Sequence, residues 1–115
     1  AGSNRSVFNA DLNGNSETLM TNLALGPSLS EFAALSPDEN WIAYSSNETG
    51  IFEVYVRPYP SITSGKWQIS RNGGRFPMWS SNESELFWWN TYTNEVNAAK
   101  YQTRNLENSP DEFLV

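Results

Sequence analysis

Short apolar and aromatic-rich bursts, the first of them alternating with polar residues, run along this chain, each closed by a cluster of Asn, Asp, Ser, Gly or Pro. The pattern predicts short strands joined by tight turns, because successive side chains on a strand point to opposite faces. Val7-Phe8-Asn9-Ala10-Asp11-Leu12 alternates, Asn13-Gly14-Asn15 is a strong turn signal, and Glu17-Thr18-Leu19-Met20-Thr21 returns. Residues 7–21 therefore predict a β-hairpin. Gly26-Pro27 argues against a helix over residues 24–34. Further strands are predicted at residues 32–35, 41–46, 52–59, 66–70, 76–79, 86–90, 96–101 and 112–115.

Two of these stretches are versions of one another. Leu35-Ser36-Pro37-Asp38-Glu39-Asn40-Trp41-Ile42-Ala43-Tyr44-Ser45 reads as an apolar segment, a polar turn and an aromatic-rich strand. Trp79-Ser80-Ser81-Asn82-Glu83-Ser84-Glu85-Leu86-Phe87-Trp88-Trp89 repeats it at an offset of 44. Gln68-Ile69-Ser70 and Glu112-Phe113-Leu114 keep that offset. Residues 54–59 match 96–101 at 42 instead, because the second unit's middle turn is two residues shorter. The opening hairpin matches the back half of a unit. A repeat of this length marks an array of similar supersecondary units. The chain divides, as one all-β domain of antiparallel sheets, into a flexible lead-in at 1–6 and a half unit with its linker at 7–31. Two whole four-stranded units follow at 32–74 and 75–115.

Composition sharpens this. In 115 residues there are sixteen aromatics (five Trp, five Tyr, six Phe), enough to fill a core poor in Leu and Ile. The net charge of −6 and scattered Lys and Arg give no basic stripe, so no nucleic-acid partner is expected. With no Cys and no His, disulfides, thiolate nucleophiles, Ser-His-Asp arrangements and the commonest metal ligand are all excluded, and no cofactor or metal is expected. No apolar run is long enough to span a membrane as a helix. The chain begins at Ala1 rather than Met, which reads as a removed leader or tag, or as a piece of something longer.

Leu35-Ser36-Pro37-Asp38, followed by Trp41-Ile42-Ala43-Tyr44-Ser45-Ser46-Asn47, resembles the TolB-type, WD-like β-propeller repeat. Glu53-Val54-Tyr55-Val56-Arg57-Pro58-Tyr59-Pro60 and Lys66-Trp67-Gln68-Ile69-Ser70 resemble the rest of the same blade, and the likeness covers residues 32–101. It implies a soluble protein of the bacterial cytoplasm or periplasm, built as part of a propeller. Such blades often follow serine/threonine kinase domains or sit within periplasmic and peptidase-linked propellers. The repeat's turn glycine is replaced by Glu39 in one copy and Glu83 in the other, and its aspartate by Asn82 in the second. A non-Gly residue forced to positive φ there costs about 1 kcal/mol. Asp38 reads as a turn-forming residue whose carboxylate accepts backbone N–H groups.

Closed propellers have four to eight blades, whereas this chain encodes about two and a half. Leu86 and Trp88 point to one side of their strand and Phe87 and Trp89 to the other, so one side packs on the preceding unit and the other faces water. Phe87, Trp88 and Trp89 are the candidate interface residues, and a symmetric homodimer is the simplest way to cover them. Arg71 and Arg75 flank Asn72-Gly73-Gly74 on a loop between units, where they are candidates to grip an anionic peptide end. The carboxylate pairs Asp38 with Glu39 and Glu83 with Glu85 lie in or beside polar turns rather than across a cleft, so no catalytic residue is assigned. Asn47-Glu48-Thr49 and Asn82-Glu83-Ser84 match glycosylation acceptors but read as turn residues.

The leading expectation is a non-catalytic interaction module that self-associates and binds a protein or peptide. The alternatives are a fragment of a larger kinase- or peptidase-linked sensor propeller, and a hydrolase using surface carboxylates.

Overall fold

The computed structural model describes residues 30–104 and 111–115, so the hairpin expected at 7–21 lies outside the described residues. Among them the regular structure is entirely β. The strands are β1 (Ser30–Leu35), β2 (Trp41–Ser46), β3 (Glu53–Pro58), β4 (Trp67–Gln68), β5 (Arg75–Trp79), β6 (Glu85–Asn90), β7 (Glu95–Lys100), β8 (Gln102–Arg104) and β9 (Glu112–Leu114). They form an open sheet in the order β1-β2-β3-β4, a second in the order β5-β6-β7, and a separate β8-β9 pair, all antiparallel.

The internal repeat is visible in the backbone down to its irregularities. In β1 the register against β2 shifts between Glu31 and Ala34; in β5 the register against β6 shifts between Arg75 and Met78, again at an offset of 44. Within these bulges Phe32 and Phe76 take φ of 55° and 56°. Bulges of this kind re-aim a side chain, and here the two rings meet, with centroids 4.4 Å apart. Ser36 N–H donates to the Trp41 carbonyl at 2.8 Å and Ser80 N–H to the Glu85 carbonyl at 2.9 Å, so the first turn of each unit is closed the same way. Tyr59 N–H to Asn40 C=O (2.9 Å) and Tyr101 N–H to Ser84 C=O (3.0 Å) carry the offset of 42 on the far side of the shorter turn.

The two first turns then differ. Glu39 sits at φ 62°, the conformation that the usual glycine would supply, and its N–H donates to the Ser36 carbonyl at 2.8 Å. Glu83 keeps a negative φ, and its N–H reaches the Ser80 hydroxyl at 3.2 Å instead. Asp38 is the pin of the first turn. Its carboxylate accepts from Ser36 Oγ at 2.6 Å and from Asn40 N–H at 3.1 Å, while Trp41 N–H donates to the same serine hydroxyl at 3.1 Å. The turn-forming role expected for Asp38 is thus visible in its geometry.

β2 is the centre of the molecule and is buried along its whole length. On one side Ile42 and Tyr44 pack with Ala33 and Tyr55, joined by Leu35, Tyr59 and Ile62. On the other, Trp41, Ala43, Val54 and Val56 meet Leu86 and Phe113, with Trp67, Trp79, Trp88 and Tyr101 at the margin. The second cluster is the joint between the sheets. Trp79 fastens it by donating its indole N–H to the Ala34 carbonyl at 2.9 Å, from β5 into the bulge of β1.

Two elements differ from the sequence reading. β4 is only Trp67–Gln68 rather than residues 66–70, because Ser70 replaces a backbone rung with its side chain. Its Oγ accepts from Val54 N–H at 2.8 Å and donates to Glu53 Oε1 at 2.6 Å. The strand near the C-terminus forms, but it is not the fourth strand of the second unit. It pairs with β8, placing Gln102 opposite Leu114 and Thr103 opposite Phe113. The cause is Phe113, which is buried between the sheets, stacked on Tyr101 at 4.9 Å and tilted against Trp41 at 5.2 Å. Burying an aromatic ring is worth several rungs of an exposed edge. The second sheet therefore has three strands where the first has four.

Candidate interaction surface

The strand that carries three of the candidate residues, β6, separates them by face. Leu86 is fully buried and Trp88 packs beside it against the first sheet. Trp88 is therefore part of the joint, with Cδ1 lying 3.1 Å from where a Cβ on Gly74 would stand. Phe87 and Trp89 alternate to the opposite, outward face. The register brings three exposed neighbours onto that face: Met78 and Ala98 flank Phe87, and Val96 stands opposite Trp89. Met78 and Val96 are each 63% exposed. The result is an apolar outer face on the second sheet that covers nothing among the described residues.

The between-unit loop is tightly built. Asn72 and Gly73 both take positive φ (66° and 106°), which turns the Gly73 N–H onto both carboxylate oxygens of Glu53 at 3.1 Å. Gly74 N–H donates to the Phe52 carbonyl at 2.9 Å, and a Cβ there would lie 2.3 Å from Ser70 Oγ. Arg71 is exposed on this loop. Arg75 is occupied, its guanidinium 4.2 Å from the centroid of the Phe52 ring and 5.9 Å from that of Phe76. The structure thus joins Arg75 to Trp89, its partner in the register, and leaves Arg71 apart.

Two buried charged residues escaped the sequence reading. Glu53 is buried and held by Ser70 and Gly73, and Arg57 is buried with Nε on the Tyr44 hydroxyl and Nη1 on the Ile62 carbonyl, each at 2.8 Å. Burial pushes the Tyr44 hydroxyl above its ordinary range, although the Arg57 hydrogen bond and charge oppose the shift. The offset of 42 gave a hint that these positions are special to the first unit: their counterparts are Glu95, which is exposed, and Ala99.

At the turn end, a groove of about 530 Å³ runs between Glu83, Glu85, Lys100, Tyr101 and Gln102, with a second hollow of about 300 Å³ beside Asp38 and Asn82. Burial raises the Tyr101 hydroxyl, and the charge of Asp38 adds to it. For Asp38, partial burial pushes its carboxyl up, but its hydrogen bonds from Ser36 and Asn40 outweigh that and hold it below its usual value. A carboxyl held ionised is shifted the wrong way for a general acid. Among the described residues no cluster of acidic, His or Cys side chains is placed to hold a metal ion, and no helix is long and apolar enough to cross a membrane. Comparison with protein-family models, with curated proteins and with solved structures finds no match for this chain.

Proposed function

We propose that this protein is a non-catalytic, propeller-like interaction module that self-associates and binds a protein or peptide partner. The observation that carries the reading is the outer face of the second sheet. Each sheet presents the same kind of apolar surface on its forward side. In the first sheet, Trp41, Ala43, Val54 and Val56 are covered by the second sheet together with Phe113 of β9. In the second, the matching face of Phe87, Trp89, Val96 and Ala98 has no third sheet over it among the described residues. Exposed contiguous apolar surface of this kind marks an interaction site, and a symmetric pair of chains covers two such faces at once.

A second reading, that the chain is a portion of a longer sensor propeller, draws on the same repetition, since a further unit would seat on that face as the second sheet seats on the first. Sedimentation velocity across micromolar concentrations tests the first reading: a concentration-dependent dimer supports it, and a monomer throughout overturns self-association.

A further inference from the structure

Among the described residues β7 ends the second sheet. Its counterpart in the first unit, β3, does not end its own: β4 lies beside it, with Tyr55 opposite Gln68 and Val56 opposite Trp67. Carried across the offset of 42, the rung that β4 occupies falls on Asn97 and Ala98, where no described strand lies.

The backbone phase carries across as well. Val54 N–H donates to Ser70 Oγ and its carbonyl accepts from Ile69 N–H, both at 2.8 Å, so Val54 turns its backbone groups away from β2. Alternation gives Val56 the same direction. In both units the next tyrosine, Tyr59 or Tyr101, turns its N–H inward to the first turn, which fixes the same phase in β7. Val96 and Ala98 therefore present N–H and C=O groups out of the sheet.

Side chains and charges define what would fit. In the first sheet, Trp67 lies beside Val56 and edge-on to Trp41 at 5.6 Å, and Ile69 reaches the same cluster. The corresponding rows on the second sheet are Met78–Phe87–Ala98 and Arg75–Trp89–Val96, both open beyond β7 among the described residues. A strand laid antiparallel on β7 would extend these rows with two apolar side chains two residues apart. It would begin near exposed Lys100 and end near exposed Glu95. The chain's own candidate for this place, Glu112–Leu114, is paired with β8 and anchored by buried Phe113.

We propose that the β7 edge binds an extended peptide by antiparallel strand addition, doing for the second sheet what β4 does for the first. The ligand has an acidic residue at its start, a large aromatic, a polar residue, an aliphatic residue, a small polar residue and a basic residue at its end. Main-chain hydrogen bonds supply affinity and the alternating side chains supply selectivity. The inference deepens the reading of the chain as an interaction module and rests on it. The two fail separately: self-association is read from sedimentation without peptide, strand addition from the β7 amides.

The probe is the blocked peptide Glu-Trp-Gln-Ile-Ser-Arg, with the reversed sequence Arg-Ser-Ile-Gln-Trp-Glu as control, titrated into the full chain and followed by amide NMR and hydrogen exchange. The expected result is saturable shifts and slowed exchange at Val96 and Ala98, with the reversed peptide at least tenfold weaker. Ala98→Pro removes the outward N–H while leaving the β6 ladder intact, and should abolish the protection. Glu95→Lys, which alters no backbone group, should narrow the gap between the two peptides. Equal binding by the Ala98→Pro protein, shifts confined to other strands, or slow exchange of both amides before peptide is added would each overturn the proposal.

Discussion

Phe32 and Phe76 stand at equivalent places in two units 44 residues apart, both at positive φ, and their rings touch each other. An aromatic residue in the left-handed region costs about 1–2 kcal/mol, and the chain accepts that cost twice. The strain follows from the bulge, and the bulge swings each ring toward the joint where the units meet. Replacing Phe76 by Ala keeps the strain and loses the ring contact, so a destabilisation of about 1–2 kcal/mol is expected in urea titration. Phe76→Gly should lose less, because glycine relieves the backbone at the same time.

The first turns offer a paired comparison. Glu39 is exposed at φ 62°, so Glu39→Gly should raise stability by about 0.5–1 kcal/mol. Glu83 keeps a negative φ, and Glu83→Gly should give no gain. Equal effects in thermal unfolding would show that the two turns share one conformation.

The two adjacent tryptophans should behave oppositely. Trp89→Ser is expected to leave the circular dichroism of the β structure in place and to shift sedimentation toward monomer. Trp88→Ser opens the joint between the sheets beside Leu86 and should destabilise by roughly 2–4 kcal/mol. A Trp88 variant that stays fully stable would place that ring outside the core.

Gly74→Ala tests the loop that joins the units. The new methyl carbon would stand 2.3 Å from Ser70 Oγ, forcing away the hydroxyl that binds Val54 and Glu53. A loss of about 1–3 kcal/mol is expected. Glu53→Ala should act on the same contacts, and the double variant should cost less than the sum of the two.

Stability should fall at both ends of the pH scale, for different groups. Asp38 has its carboxyl lowered in the folded chain from an ordinary 3.8, so its contribution is complete above that value and is lost as pH falls through the folded value. In Asp38→Asn the acid limb of the stability curve should flatten. Tyr44, Tyr55 and Tyr101 are raised above an ordinary 10.0, chiefly by burial, so the folded state keeps them neutral. Their contribution is complete below pH 10.0 and is lost as pH rises through the folded values. Urea midpoints measured across pH resolve the two limbs.

Much of this structure could be read in advance because it is local. Asn, Gly and Pro clusters mark the turns, and the apolar, aromatic-rich runs between them place β2, β3, β6 and β7 to within a residue or two. The shorter middle turn of the second unit is also plain, six residues between β2 and β3 against four between β6 and β7. What could not be read depends on partners distant in sequence. The bulges at Phe32 and Phe76 carry no glycine to announce them. The pairing of β9 is decided by where Phe113 finds a pocket among Trp41, Tyr101 and Trp79, which no pattern within Glu112–Leu114 reveals. Of the candidate residues, the separation of Trp88 from Phe87 and Trp89 followed from alternation alone. The engagement of Arg75 by Phe52 needed the folded loop.

The indole of Trp79, donating across the joint to the carbonyl of Ala34, bears on how the molecule comes apart. Lifting one sheet from the other would break that bond and bare Leu86 and Trp41 to water together. A cut between the units, anywhere near Gly73, would therefore release two sticky halves instead of two small domains. What the sequence writes as repeated modules is therefore expected to melt as a single cooperative block.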